Sequence, residues 1–305
     1  MCECYPSVRH MIAFWNSVTI GETSVSEPGS EWDFTSISSD RAPMSLDTTV
    51  AHPARMYDYY LGGKDNFAAD RAAADAAIAA APDMKVTAQA NRAFLGRAVR
   101  FLAQSGIKQI IDIGTGIPTA GNTHQVAQEI DPSIRVVYID NDPMVLIHAR
   151  ALMEAQSQGT TTVIQADLRE PRDLLSHPQV RSLIDFGEPV GVNLVAILHF
   201  IKDEEDPGKI VRTLRDALPK GSCLVISHCT LDFTEPEVGV ALRAIYGKAT
   251  APLVPRAHAE ILEYFDGFDL VEPGLVHLPL WRPDSIVAPS LLERVHFYAG
   301  VGRLS

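Results

Sequence analysis

The residues best spaced for chemistry begin with a short apolar run, residues 110–113, that carries Asp112 and leads into Gly114, Thr115 and Gly116. An apolar run, an acid, two glycines spaced by one and a following helix start spell a strand, a tight turn and a helix N-terminus. In that geometry a backbone approaches a nucleoside ligand closely. Two further acids hold matching places. Asp140 follows Asp112 by 28 residues and closes the apolar run 136–139, and Asp167 follows Asp140 by 27 residues after the run 163–166. Three consecutive strand–helix units therefore each end on a carboxylate, and an open parallel sheet lines such ends up along the edge where ligands bind.

Each acid suits one part of a nucleoside ligand. Asp140 can accept two hydrogen bonds from the vicinal hydroxyls of a ribose. Asp167 suits an adenine amino group, Asn141 is placed to touch the same base, and Leu168 to pack on its face. Asp112, with Gly114, Thr115 and Gly116, lies where the ligand's charged tail would run. A nicotinamide dinucleotide prefers a third glycine for close helix–strand packing. This chain has Thr119 in that place and a stiff Pro118 before it. The pattern favours S-adenosylmethionine (SAM) over the dinucleotide of an NAD-dependent oxidoreductase. A non-catalytic SAM-binding sensor would carry the same donor motif.

The chain resembles the class I SAM-dependent methyltransferases, and among them an actinobacterial family whose members mostly lack known substrates. The segments that carry the resemblance are residues 52–67, 91–97, 112–122, 138–143, 166–169, 198–200 and 298–302. Together they span about residues 48–303, and the most family-specific is Gly62-Gly63-Lys64-Asp65-Asn66. Pro118 departs from the superfamily, which often has a glycine there. The resemblance implies a Rossmann-like, doubly wound α/β fold with a mostly parallel seven-stranded sheet and an N-terminal helical lid over the SAM site. It also places a residue after the fourth strand opposite the methyl donor. In this chain that residue is His199, the candidate general base, and His228 at the end of the next strand is the weaker candidate. The turn after Tyr57 is expected to close over SAM, with Tyr57, Lys64 and Asn66 reaching the ligand or the acceptor. The expected partner is a small-molecule methyl acceptor, with oxygen, nitrogen and carbon nucleophiles all open.

Composition narrows the remaining classes. A net charge of −12 with no lysine/arginine stripe argues against nucleic acid. No apolar run approaches the ~20 residues of a membrane span, and residues 11–15 are too short for a signal core. The expected location is cytoplasmic. Four cysteines, Cys2, Cys4, Cys223 and Cys229, form no C-x-x-C pair. No metal site or disulfide is expected, and Cys223 and Cys229 read as small apolar core residues.

The elements that must position these residues follow from pattern. Residues 1–45 hold six acids against Arg9 and Arg41 without sustained periodicity and read as a disordered extension. Residues 46–106 read as the helical lid. Pro53 suits a first turn, residues 68–81 are alanine-rich, and Ala90, Phe94, Leu95, Ala98 and Leu102 share one face of a helix over 86–104. Paired glycines end the first helix at Leu61, and Asp65 or Asn66 can cap the next. Residues 107–305 read as the SAM-binding domain, with strands at 109–113, 134–139, 161–165, 190–197 and 222–228. Helices are expected at 120–130, 143–156, 203–218, 237–248 and 256–265, with Asp142 as N-cap of the second. Residues 268–303 are expected to form two closing strands around a surface loop bearing Trp281.

Overall fold

In the computed structural model, residues 47–119, 121–147 and 160–305 are described. The expected extension, residues 1–45, and most of the helix expected over 143–156 lie outside them. Residues 45–305 fall into one compact unit.

Alternation along the apolar runs builds the sheet. The strands are β1 Gln109–Ile113, β2 Arg135–Asp140, β3 Thr161–Gln165, β4 Gly191–Val195, β5 Cys223–Cys229, β6 Phe268–Leu270, β7 Val276–His277 and β8 Phe297–Leu304. Their order is β3-β2-β1-β4-β5-β8-β6, with β7 also paired to β8. The first five run parallel, and β8 is antiparallel to β5, β6 and β7. The order reverses between β1 and β4, so a crevice opens above their C-terminal ends. One face of the sheet, through Ile110, Val136 and Val225, packs on Phe94, Leu95, Ala98 and Leu102. The other, through Ile111, Val137, Leu194 and Ile226, packs on Ile210, Val211 and Leu214 of helix Pro207–Asp216. Cys223 and Cys229 are buried free thiols.

The N-terminal helices are α1 Pro53–Tyr60, α2 Ala68–Ala80 and α3 Met84–Gln104. They share the first core with the sheet instead of forming a separate layer of their own. Pro53 does open α1. Neither Asp65 nor Asn66 caps α2. That task falls to Asp70, whose Oδ2 accepts the Phe67 N–H at 2.8 Å. The reason is that Asp58 has captured the turn: its Oδ2 accepts the Asp65 N–H at 3.0 Å and the Asn66 amide at 2.8 Å.

Helix α4, Thr123–Ile130, follows Asn122, which takes the capping position and whose own N–H is accepted by Gln125 Oε1 at 2.9 Å. Asp142 caps the helical residues 143–147 as expected, accepting the Met144 N–H at 2.9 Å. Strand β4 stops at Val195 because Ala196 adopts a left-handed φ of 57° and the chain tightens into a 3-10 turn, Leu198–Phe200. The closing segment differs from expectation. It holds three strands, and Trp281 is fully buried, edge-on to Phe94 at 5.4 Å and Phe101 at 6.0 Å. The apolar face of α3 supplies that slot, and Arg97 donates to the Trp281 carbonyl at 2.9 Å.

A buried ion cluster ties α1 to the edge of the sheet. The Arg55 guanidinium is only 2% exposed and sits 3.3 Å from Asp142 and 3.7 Å from Asp70. Removing one member of a buried ionic group leaves the others without compensation. Arg55→Met is therefore expected to lose about 3–5 kcal/mol of stability, read as a lower denaturant midpoint; a loss below about 1 kcal/mol would mean the cluster is not an energetic anchor.

The turn after β1 needs its glycines for two different reasons. Gly114 has φ +72°, and a Cβ there would lie 2.6 Å from the Ile197 side chain; Gly116 has φ +67° and open space around it. Gly114→Ala is expected to cost roughly 2–5 kcal/mol, from strain plus overpacking. Gly116→Ala is expected to cost about 1–2 kcal/mol, from strain alone. Equal losses in parallel unfolding curves would remove the Ile197 contact as the cause.

Candidate functional site

Each of the three sequence-marked acids reaches the C-terminal edge of the sheet with its own set of donors. Asp140 is 6% exposed. Its Oδ2 accepts the Gly116 N–H and its Oδ1 the Asp142 N–H, both at 2.9 Å. A carboxylate has about four acceptor positions, so these bonds do not exhaust it. Burial pushes its carboxyl up to about 6. Asp112 is also buried and accepts from Thr123 Oγ1 at 2.5 Å; burial again raises it to about 6. Asp167 is half-buried. Burial acts to raise its carboxyl, but the hydrogen bonds from the Arg169 side chain and N–H outweigh it and hold the group below the usual range.

The other expected donor-site residues divide. Gly114 and Thr115 continue the ladder to β2, both donating to the Ile139 carbonyl, at 2.8 and 3.3 Å. The Thr115 hydroxyl donates to the Asp112 carbonyl at 3.0 Å, so it braces the turn. Asn141 is exposed beside Asp167, with its amide 3.5 Å from Oδ2. Leu168 does not present itself to a base: it is buried in the second core with Ile164 and Leu174. Asn66 has its amide spent on Asp58 and on the Gly63 carbonyl. Lys64 is exposed on that turn and lines neither the edge nor the cavity below.

Tyr57 faces inward. Its hydroxyl donates to the Ala88 carbonyl at 3.0 Å and accepts from Asn91 at 2.9 Å. Asn91 accepts from Ser227 Oγ at 2.6 Å, and Ser227 Oγ accepts the Ala196 N–H at 3.0 Å. This chain fixes α1 and α3 to the end of β4. Composition hid Asn91 and Ser227. The only signal was the family-like segment 91–97.

Next to that chain is a cavity of about 290 Å³. Its walls come from α1 (Pro53, Tyr57, Tyr60), the β4 end (Ala196, His199, Phe200) and helix Pro236–Tyr246 (Val238, Leu242, Tyr246). The volume sits at the small end for ligand sites, and the apolar lining with a few polar groups suits one. Ile197, which touches the Gly114 turn, lies between two cavity residues, Ala196 and His199.

His199 is 3% exposed, with its ring edge-on to Phe200 and Phe297. Its Nδ1 accepts the Cys229 N–H at 3.2 Å. A backbone N–H can only donate, so Nδ1 carries the lone pair and Nε2 the proton. Burial, then His228 and Arg256, hold its pKa well below the usual histidine value. These facts run against the general-base expectation for His199. His228 is fully buried and does not line the cavity. Its Nδ1 donates to the Cys229 carbonyl at 2.7 Å and its Nε2 accepts from Arg256 Nη1 at 3.3 Å. Burial pushes it down to about 3. Arg256, which sequence reasoning missed, also donates to the Leu198 carbonyl at 3.1 Å and the Ile201 carbonyl at 2.9 Å. His228 and Arg256 thus brace the turn that carries His199. Among the described residues, no helix is long and apolar enough to cross a membrane, and no group of three metal-ligating side chains occurs.

The S-adenosyl methyltransferase family profile matches residues 39–305. A solved structure from Streptomyces avermitilis, described as a DUF574 family protein, is 42% identical over 86% of this chain and 100% of its own, with a TM-score of 0.82. Another, from Thermobifida fusca and described as a candidate methyltransferase, is 43% identical over 85% of this chain and 97% of its own, with a TM-score of 0.79. No curated protein matches the chain. The family match and these two relatives agree with the site geometry: the chain belongs to the S-adenosyl methyltransferase family, as a class I enzyme that uses SAM.

Proposed function

We propose that the methyl donor lies across the β1–β2–β3 edge and that the acceptor is a small molecule held in the adjoining cavity. The observation that carries this reading is the contact at Ile197. The Ile197 side chain meets the glycine turn, and in the same short segment Ala196 and His199 line the cavity. The ribose is assigned to Asp140, whose carboxylate keeps acceptor capacity beyond its backbone bonds, and the adenine to the Asn141–Asp167 side. The methionine tail is assigned to the open space over Gly116, near Asp112. Helices α1 to α3 act as the lid, through Pro53, Tyr57 and Tyr60 on the cavity wall. The sulfonium brings its own leaving group, so the protein contributes mainly orientation.

The direct test is calorimetric titration with SAM, S-adenosylhomocysteine and NAD. Micromolar binding of the first two and none of NAD is expected. Binding of NAD alone would overturn the donor assignment.

Titration gives a second test, with opposite signs for fold and ligand. Asp112 and Asp140 are raised from the ordinary carboxylate value to about 6. Between those values the folded chain binds more protons than the unfolded one, so these two groups make the ligand-free protein less stable as pH rises through that window. Ribose hydrogen bonds are stronger to the ionised carboxylate, so SAM affinity is expected to rise with pH through about 6. Asp140→Asn should weaken SAM binding by about tenfold or more and flatten that pH dependence, leaving only the part due to Asp112. An unchanged affinity and pH profile would mean Asp140 does not hold the ribose.

A further inference from the structure

We infer that the acceptor is an acidic ring hydroxyl, a phenol or enol, methylated as its oxyanion while the His199 Nε2–H donates a hydrogen bond to it. This deepens the proposed function and rests on it.

The inference starts from the lone pairs at the β4 end of the cavity. His199 Nδ1 already accepts the Cys229 N–H, so the ring offers the cavity a donor and no basic nitrogen. Turning the ring over would leave that buried N–H without an acceptor. The cavity's thiol and phenols are not bases either. The Cys229 thiol is pushed up to about 12 by burial, and the Tyr57, Tyr60 and Tyr246 hydroxyls are raised by burial too. The cavity's carboxylates, Asp83, Glu235 and Glu293, come from other elements. Glu235 and Glu293 are exposed, and Asp83 is paired to Arg294 at 2.6 Å. His296, which precedes Phe297, also lines the cavity; its Nδ1 shares a hydrogen bond with the Thr234 hydroxyl, and burial lowers its pKa.

With His199 a donor and not a base, the site selects its nucleophile. A neutral amine has one lone pair, and a hydrogen bond from His199 would occupy it. An oxyanion has three, so one can accept from Nε2–H while another attacks. The local field agrees with an anion. Arg256 is 5% exposed beneath the His199 turn, and its partner Asp203 has a side chain 77% exposed to water. That cation disfavours an imidazolium and favours a negative oxygen at the same place. Most of the remaining lining is apolar or aromatic, which suits a flat ring. On its wall Tyr60 and Tyr246 meet hydroxyl to hydroxyl at 2.9 Å. One of the two O–H groups donates to the other, which leaves the second hydrogen for another oxygen on the ring.

The transfer then balances without a protein base. The hydroxyl proton leaves to water before the acceptor enters. An oxyanion lone pair forms the bond to the methyl carbon, and the carbon–sulfur pair returns to sulfur to leave a neutral thioether.

The test uses p-nitrophenol and the less acidic p-cyanophenol as oxygen probes and p-toluidine as the nitrogen probe. First, p-nitrophenol is titrated into the S-adenosylhomocysteine complex, where its visible absorbance reports the oxyanion. Wild type is expected to bind it with the ionised fraction below neutral pH raised at least tenfold over buffer. His199→Gln, whose amide oxygen can accept from Cys229 while its nitrogen donates, should retain that shift within about threefold. His199→Leu should lose it. Second, methyl transfer from SAM is followed against pH. The acid limb should move with the acidity of the phenol, and His199→Gln should stay within about tenfold of wild type. A limb fixed at one pH for both phenols, or a His199→Gln loss as deep as that of His199→Leu, would restore a histidine base and overturn the inference. So would preferential methylation of p-toluidine. Should the leucine variant fail to bind S-adenosylhomocysteine, the glutamine variant's pH profile decides alone. Absence of phenol binding beside intact SAM binding overturns the acceptor class and leaves the donor reading standing; loss of SAM binding overturns the donor reading itself.

Discussion

A buried carboxylate must be given donors, and most of this molecule's functional edge is the consequence. Asp58, Asp70, Asp112, Asp140 and Asp142 are all at or below 5–6% exposure. An unpaired charge at such sites would be prohibitively costly, so the chain is bent until donors reach each one. Gly116 and Asp142 turn their N–H groups to Asp140. Thr123 opens α4 by donating to Asp112. Phe67 and His52 give their N–H groups to Asp70, and the Gly62–Gly63 turn wraps Asp58. The loops that carry the proposed donor site are therefore shaped by charge satisfaction more than by their own turn propensities.

The same logic sets the acceptor side, with a cation in place of an anion. Arg256 is buried and spends its guanidinium on two carbonyls of the segment 198–201, on His228 and on Asp203. Those bonds hold a 3-10 turn that would otherwise be a weak local structure, and the turn fixes the direction of the His199 ring. His228 therefore has a structural task, through the Cys229 carbonyl and Arg256. Two histidines at the ends of adjacent strands look equivalent in a sequence and differ completely once tautomers are assigned from their partners.

How far the sequence could be read follows from the range of each interaction. The five parallel strands were legible because runs covered on both faces are continuously apolar, and the acids closing them marked the edge. Asp112, Asp140 and Asp167 arrived where their spacing placed them, because strand–turn–helix units repeat with nearly constant length. Asn66 and Trp281 were misread because tertiary contacts claim them, and Leu168 is drawn into a core in the same way. Leu168 joins a core made by helices beyond it, Asn66 is claimed by Asp58 across the turn, and Trp281 fills a slot that α3 presents from nearly 190 positions earlier in the chain. Arg256 was invisible because nothing local distinguishes an arginine that will be buried from one that will be solvated. Asn193 belongs to the same class. It is fully buried in β4 beside Asp112 with both amide atoms unpaired, and an alternation pattern does not reveal that.

Helix α1 joins the two halves of the site through its geometry. Pro53, Tyr57 and Tyr60 are spaced by four and three residues, so they form one stripe, and all three line the cavity. Arg55 lies two positions from Pro53 and from Tyr57, which turns it to the other side of the helix, where it grips Asp142. Asp142 in turn gives its N–H to Asp140. The eight-residue helix thus presents its aromatic face to the cavity proposed for the acceptor and its charged face to the loop assigned to the ribose. A shift of residues 140–142 that breaks the Arg55 contact leaves Asp142 without its guanidinium partner, and a shift of α1 that breaks it also moves the wall bearing Tyr57 and Tyr60. The cheapest arrangement is the one in which both are in place together. The pockets proposed for donor and acceptor are in this sense built as one object, and the buried arginine is the part that makes them so.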